Sequence, residues 1–195
     1  MSDKKEINIV IAMKREAISL INYWNLKENK KNIFSNKENK INLIISGIGK
    51  KKAEKATFYI AENTNKENFF LNIGIAGHKN FKLGDIILIS KVTDNKKKIS
   101  WYPSLLWKTK IKKSSLTTVN FPKIRYNTND LYDMEASGFF KAARSFVGPE
   151  KVQCLKIISD NKDSSILNIS SKKIEDWVLS KTVIINKLVN EFLKI

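Results

Sequence analysis

Three carboxylates stand where an α/β chain could use them for chemistry. Glu135 lies at the start of a helical pattern, and Gly138, Phe139, Ala142, Ala143 and Phe146 follow it at helical spacing. It therefore heads the apolar face of its own helix, where a charge is costly unless something binds it. The alternative is a solvent-facing glutamate favoured by the helix dipole. Asp160 comes directly after the apolar run Val152–Ser159, at the carboxyl end of a strand. It fits equally an ordinary turn or cap residue in the turn-forming stretch Ser159-Asp160-Asn161-Lys162-Asp163. Glu16 follows the first strand, in the first turn of the next helix, where position alone favours the plainer role of serving the dipole. Carboxylates at one rim but in different environments can divide the roles of general base and general acid.

The elements that must position these residues are legible as alternating strand and helix patterns. Ile7–Ala12 reads as a strand and is followed by a helix from about Lys14 to Trp24, with Ala17, Leu20, Ile21 and Trp24 on one face. Asn25–Lys40 is a polar connection or hairpin. Ile41–Ser46 is a second strand, Gly47-Ile48-Gly49 a turn, and Lys50–Glu62 a helix with Ala53, Ala56 and Ile60 in register. Phe69–Ile75 and Asp85–Val92 are strands, the latter apolar enough to be covered on both faces. The pattern is weak from Thr93 to Asp130, with a short strand possible at Ser115–Val119. A helix over Asp133–Phe146 ends at Gly148-Pro149, Val152–Ser159 is a buried strand, and a last helix runs from Ser171 to Leu193. Its apolar positions are Ile174, Trp177, Val178, Ile184, Ile185, Leu188 and Phe192. Strands alternating with helices predict a three-layer α/β sandwich with a central mixed, mostly parallel sheet, in one domain over residues 1–195. Ligands of such folds gather at the carboxyl ends of the strands.

Composition narrows the function classes. The chain carries 36 Lys+Arg against 19 Asp+Glu, a formal charge of +17. Nearly all of the positive charge is lysine, Arg15, Arg125 and Arg144 being the only arginines. Nucleic-acid recognition favours the arginine fork, and the lysines are scattered instead of forming a stripe with interleaved aromatics. No nucleic-acid partner is expected. No run is long enough to cross a bilayer, and the N-terminal residues lead straight into a strand, so a cytoplasmic, non-membrane protein is expected. One cysteine, Cys154, and one histidine, His78, leave no metal-ligand cluster, so neither metal nor cofactor is expected. Cys154 reads as a small core residue. His78 follows a strand-end glycine and reads more simply as a turn residue than as a catalyst. Gly47-Ile48-Gly49 lacks the third glycine and acidic partner of a dinucleotide fingerprint. It does bring the backbone N–H groups of a helix start near the strand ends, where an anion or a water could bind.

The ordered set Ile11-Ala12-Met13-Lys14-Arg15-Glu16, Ser46-Gly47-Ile48-Gly49-Lys50, Asn72-Ile73-Gly74-Ile75-Ala76-Gly77 with Gly84-Asp85, Asp133-Met134-Glu135-Ala136 and Ser159-Asp160 resembles the nucleoside phosphorylase and nucleosidase superfamily. Its methylthioadenosine/S-adenosylhomocysteine nucleosidase branch is the most similar. The resemblance implies a nucleoside phosphorylase-like fold, a purine nucleoside substrate and a homodimer whose neighbouring subunit closes the 5′ end of the pocket. It implies that Glu16 activates the attacking water, that Glu135 holds the ribose hydroxyls, and that Asp160, with Ser159 beside it, hydrogen-bonds or protonates the purine at N7. Met134 matches a methionine that packs near the sugar. Ile75 stands where many nucleosidases carry a small polar residue, and His78 replaces the second glycine of the common Ala-Gly-Gly turn. The segment between Asp85 and Asp133 is shorter than is typical. Val119 and Phe121, with Thr117 and Thr118, are candidates there for the wall that orients the base; the alternative is a strand with a Pro-terminated turn. Trp101-Tyr102-Pro103 could be a lid, a subunit contact or local packing. The activity implied is cleavage of a purine, adenine-containing, nucleoside or thionucleoside by water. The alternatives are a phosphate-dependent phosphorylase, with phosphate held by Gly47–Lys50, Lys14, Arg15 or His78, and an inactive nucleoside-binding homologue.

Overall fold

The structure is a computed structural model that describes residues 5–65, 67–105, 109–123 and 125–194. The expectations for residues 1–4 and 195, and for parts of the weakly patterned segment, fall outside the described residues. The strands are β1 (Ile7–Ile11), β2 (Lys27–Lys30), β3 (Ile33–Asn36), β4 (Ile41–Ile45), β5 (Phe69–Gly77), β6 (Ile86–Asp94), β7 (Ser100–Trp101), β8 (Lys112–Thr118), β9 (Leu131–Asp133) and β10 (Val152–Asp160). The helices are α1 (Lys14–Tyr23), α2 (Lys50–Glu62), α3 (Ala136–Ala143) and α4 (Ser171–Phe192). All ten strands join one mixed sheet. Its centre is parallel, β4-β1-β5-β10, because each of these strands is an apolar run returned to the sheet by a crossover. Strand β6 runs antiparallel to β10 and parallel to β8. The polar connection after α1 is the hairpin β2–β3, which extends the sheet beyond β4.

Helices α1 and α4 cover one face of the sheet, over a core that includes Ile9, Leu20, Leu71, Ile185 and Phe192. Helices α2 and α3 cover the other, over Val10, Ile60, Phe70, Phe139 and Ile158. The three-layer sandwich read from the periodicities is thus present. Gly138 lets α3 approach α2 closely, since a Cβ there would overlap the backbone of Lys50.

Some boundaries differ from the periodicity. Helix α3 begins at Ala136 and not at Asp133, because Asp133 completes β9 and its Oδ2 accepts from the Ala136 N–H (2.8 Å). On α4, Ile184 is 40% exposed. The neighbouring Ile185 takes the inward direction, and one residue of helix rotates its neighbour by about 100°.

The sheet divides where β5 outruns β1. Up to Asn72, β5 is paired with β1 on one side and β10 on the other. At Gly77 it pairs with Tyr132 of β9. Strands β5, β10, β6, β8 and β9 therefore close into a ring, with β1, β4, β3 and β2 as a wing. The fork between wing and ring opens at the carboxyl ends of the parallel strands, the place where open α/β sheets bind ligands.

Candidate active site

Glu16 fills the fork. Strand β1 stops at Ile11, so the Ile75 N–H on β5 has no ladder partner there and donates to Glu16 Oε1 (3.0 Å). The Met13 N–H, at the start of α1, donates to Oε2 (2.8 Å). Glu16 is thus not a solvent-facing helix-start residue; it is 1% exposed. Burial, reinforced by the charge of Glu135, raises its pKa to about 7, against the pull of the Ile75 N–H, Lys156 and the Met13 N–H.

Glu135 reaches the same place from the N-cap of α3. Its Oε1 accepts from the Gly49 N–H at the head of α2 (2.8 Å), and its Oε2 from the Met134 N–H (3.3 Å). The donor that the Gly47-Ile48-Gly49 turn offers is therefore used inside the protein. Burial and the charge of Asp133 raise the pKa of Glu135, with Lys156 and the two amides opposing.

Asp160 ends β10. Ser159 donates its hydroxyl to Oδ1 and Tyr126 donates its hydroxyl to Oδ2. Burial raises the pKa of Asp160, and the two hydroxyl donors pull it back. Gly77 lies directly beneath, where a Cβ would collide with both the Tyr126 hydroxyl and Asp160 Oδ2.

Behind the acids lies Lys156, in the middle of β10 and 1% exposed. Its ammonium pairs with Asp133 Oδ2 (2.9 Å) and donates to Asn72 Oδ1 (2.8 Å). It lies close to Glu16 over Gly74, where a Cβ would stand 3.3 Å from Nζ and 3.4 Å from Glu16 Oε1. Burial disfavours the ammonium, but the charge and hydrogen bond of Asp133, with the charge of Glu135, outweigh it and hold Lys156 protonated. The opposite oxygen of Asp133 accepts from Thr118 (2.7 Å). Three buried acids, Asp133, Glu16 and Glu135, thus surround one buried cation, and each of their carboxylate oxygens accepts from at least one donor, as burial of charge requires.

Glu16, Glu135 and Asp160 line one cavity of about 230 Å³, together with Met134, Ser159 and Ile75. Tyr126 and Tyr132 are its aromatic wall, their centroids 5.8 Å apart. Val119 and Phe121 lie elsewhere. They line a larger adjoining cleft of about 730 Å³, which shares Ile48 and Met134 with the cavity, and Phe121 is 80% exposed. Phe121 sits in the turn beyond the end of β8.

His78 takes no part in the cavity. Its Nδ1 accepts from the Asn80 and Phe81 N–H groups, which leaves Nε2–H to donate to the Asn129 carbonyl (3.0 Å). Burial lowers its pKa, so it is a neutral brace of the turn after β5. Cys154 is buried in the core, and burial pushes its thiol up to about 12. Trp101 pairs with Val92 in β7, whereas Tyr102 is exposed. Among the described residues no cluster of His, Cys, Asp and Glu could hold a metal ion, and no helix is long and apolar enough to cross a membrane.

Lys156 with its partner Asp133, and the two tyrosines of the wall, Tyr126 and Tyr132, escaped the sequence reading. Lys156 was visible as the one charge within the mostly apolar run Val152–Ser159, which demands a buried counter-ion. Tyr126 carried no signal, because it lies in the weakly patterned segment before β9.

No protein-family model matches the chain, and no curated protein matches it in sequence. Solved structures do match it. An MTAN from Chlamydia trachomatis superposes with a TM-score of 0.77 at 18% identity, covering 95% of this chain and 99% of that one. The 5′-methylthioadenosine nucleosidase of Arabidopsis thaliana gives 0.75 at 19% identity, covering 97% of this chain and 95% of that one. A futalosine hydrolase mutant of Helicobacter pylori gives 0.74 at 13% identity, covering 96% and 99%. The chain therefore shares, over almost its whole length, the fold of these two nucleosidases and this hydrolase.

Proposed function

We propose that this protein cleaves the N-glycosidic bond of a purine nucleoside or thionucleoside, adenine-containing, with water as the nucleophile. The observation that carries the reading is the meeting of Glu16, Glu135 and Asp160, from three separate strand ends, in one cavity of a fold shared with 5′-methylthioadenosine nucleosidases. Cleavage of the bond leaves positive charge on the sugar and negative charge on the departing base. Asp160, whose burial favours the protonated form, gives its proton to the base at N7 as the C–N bond breaks. Glu16, poised near neutrality, takes a proton from the water as its oxygen bonds to the sugar carbon. Glu135 accepts from the ribose hydroxyls, and both glutamates stabilise the cationic sugar. Met134 packs beside the sugar, Ser159 orients Asp160, and Ile75 holds Glu16 through its N–H.

The phosphate-dependent alternative needs donors for an anion near Gly47–Lys50. The Gly49 N–H is already given to Glu135, Lys50 pairs with Asp94 (3.0 Å), and Arg15 donates to Ser171 and to Met13 Sδ. Those engagements favour water.

The test is to incubate the purified protein with methylthioadenosine, S-adenosylhomocysteine, adenosine and inosine, with and without phosphate, and to measure free base by chromatography. Release without phosphate is the expected result. Dependence on phosphate makes the protein a phosphorylase, and no release from any substrate makes it an inactive nucleoside-binding homologue.

The proposal includes a homodimer. Its support is the exposed apolar set Ile48, Ile99 and Phe121 lining the cleft beside the cavity, which a second copy would cover. Sedimentation at micromolar concentration tests it. A cytoplasmic location, in keeping with a lone buried thiol, completes the reading.

A further inference from the structure

We propose that Tyr126 is an internal competitor for the base: its hydroxyl holds the oxygen of Asp160 that the base must take, and the base binds by displacing it. The inference rests on the nucleosidase reading and deepens it by naming the residue that sets the affinity for the base.

Both oxygens of Asp160 are engaged by hydroxyl donors, Ser159 on Oδ1 and Tyr126 on Oδ2. An entering base that bonds to Asp160 has to replace one of them. Ser159 precedes Asp160 in β10, is buried, and is fixed by the strand. Tyr126 lies on the connection between β8 and β9, outside the sheet ladder. Its phenol is therefore the donor that can leave.

Space points the same way. The cavity of about 230 Å³ lies below the roughly 300–1,000 Å³ of small-molecule sites. Its walls also include strand ends, the heads of α1, α3 and α4 and the segment around Ile166–Ile169, and among them Tyr126 is the side chain whose hydroxyl stands on the Asp160 oxygen that a base would take. Gly77 supports this placement from below, because only a residue without Cβ leaves room for the Tyr126 hydroxyl over β5. When the ring leaves, the face of Tyr132 that now packs against it at 5.8 Å becomes available to an aromatic base.

The exchange also couples binding to protonation. With Tyr126 in place, its hydroxyl stabilises Asp160 as an acceptor. Without it, the buried carboxyl has lost one of the two donors that favour its charged form and is better suited to hold the proton it must give.

The experiment is a calorimetric titration of adenine into the wild type, Tyr126→Phe and Tyr126→Leu, with thermal unfolding of each ligand-free protein and base release from methylthioadenosine measured in parallel. The phenylalanine keeps the ring and the packing and removes only the competing hydroxyl. A hydrogen bond to a charged group that no longer has to be broken predicts binding of adenine about tenfold tighter. The leucine variant, which also removes the ring, is expected to bind at least as tightly as Tyr126→Phe. Equal or weaker adenine binding by both variants, with base release intact, overturns the proposal and leaves Tyr126 as a fixed part of the wall. A fall in unfolding temperature without a gain in affinity means a structural role only and overturns it as well. Failure of all three proteins both to bind adenine and to release base overturns the nucleosidase reading, and this inference with it.

Discussion

Replacing Glu16 by glutamine isolates the cost of burying its charge. The folded protein holds this carboxyl at about 7, against an ordinary value of 4.5. The folded state therefore binds the proton more tightly than the unfolded chain. The stability this provides is fully present below about pH 4.5 and is lost as pH rises to about 7. Each tenfold in affinity is worth about 1.4 kcal/mol, so the ionised side chain costs the folded state about 3 kcal/mol above pH 7. Glutamine carries no charge, but it leaves one of the two N–H donors, Ile75 or Met13, facing an amide nitrogen, at about 1–3 kcal/mol. That penalty is the same at every pH. The difference in unfolding free energy between Glu16→Gln and wild type is therefore expected to move by about 3 kcal/mol in favour of the variant between pH 4.5 and pH 8. Relief of the repulsion on Glu135 acts in the same direction. Urea unfolding of both proteins at pH 4.5, 6 and 8 measures it. Stability curves that stay parallel across this range would refute the view that Glu16 is a high-pKa buried acid, and with it the claim that it is poised as a base near neutrality.

Other perturbations separate the remaining residues. Asp160→Asn should lower base release by about 10²–10⁴-fold, the usual worth of a general acid, while the unfolding temperature shifts by only a few degrees. Full activity in that variant would remove Asp160 from the acid role. Lys156→Met should destabilise the fold by about 3–5 kcal/mol in urea, because it strands Asp133 beside two further buried acids; a neutral result would mean that those acids are protonated in the folded protein. Gly138→Ala should cost about 1–3 kcal/mol by forcing α3 away from Lys50, and should raise KM by shifting the Gly49 N–H relative to Glu135. A stability loss with unchanged KM would show that the clasp between Gly49 and Glu135 is dispensable.

The α/β layering was legible because α1, α2 and α4 each bury a stripe with helical period and β1, β5 and β10 are continuous apolar runs. Strands β7 and β9 escaped because two or three residues carry no period, and both are set by pairing with β6, β8 and β5. The inward turn of Glu16 was present as spacing: it stands four residues before Leu20, on the face that α1 buries. Periodicity cannot, however, say whether a glutamate at a helix start has water or a strand-end N–H to accept from. Here the early end of β1 decides it. Tyr126 was illegible for a different reason. Its position depends on the short connection from β8 to β9, and on Gly77 leaving space on a strand distant in sequence.

The hairpin that ends the wing has a consequence for how copies of this protein meet. The ring closes one side of the sheet on itself, which leaves β2, Lys27-Glu28-Asn29-Lys30, as the outermost strand of the wing, with all four residues exposed. Such an edge is a template for another chain's backbone unless charge guards it, and here two lysines do so on a molecule that already carries +17. Strand-by-strand growth into fibrils is therefore opposed at this border, and the protein should stay dispersed at low ionic strength and become more prone to stacking as salt screens it.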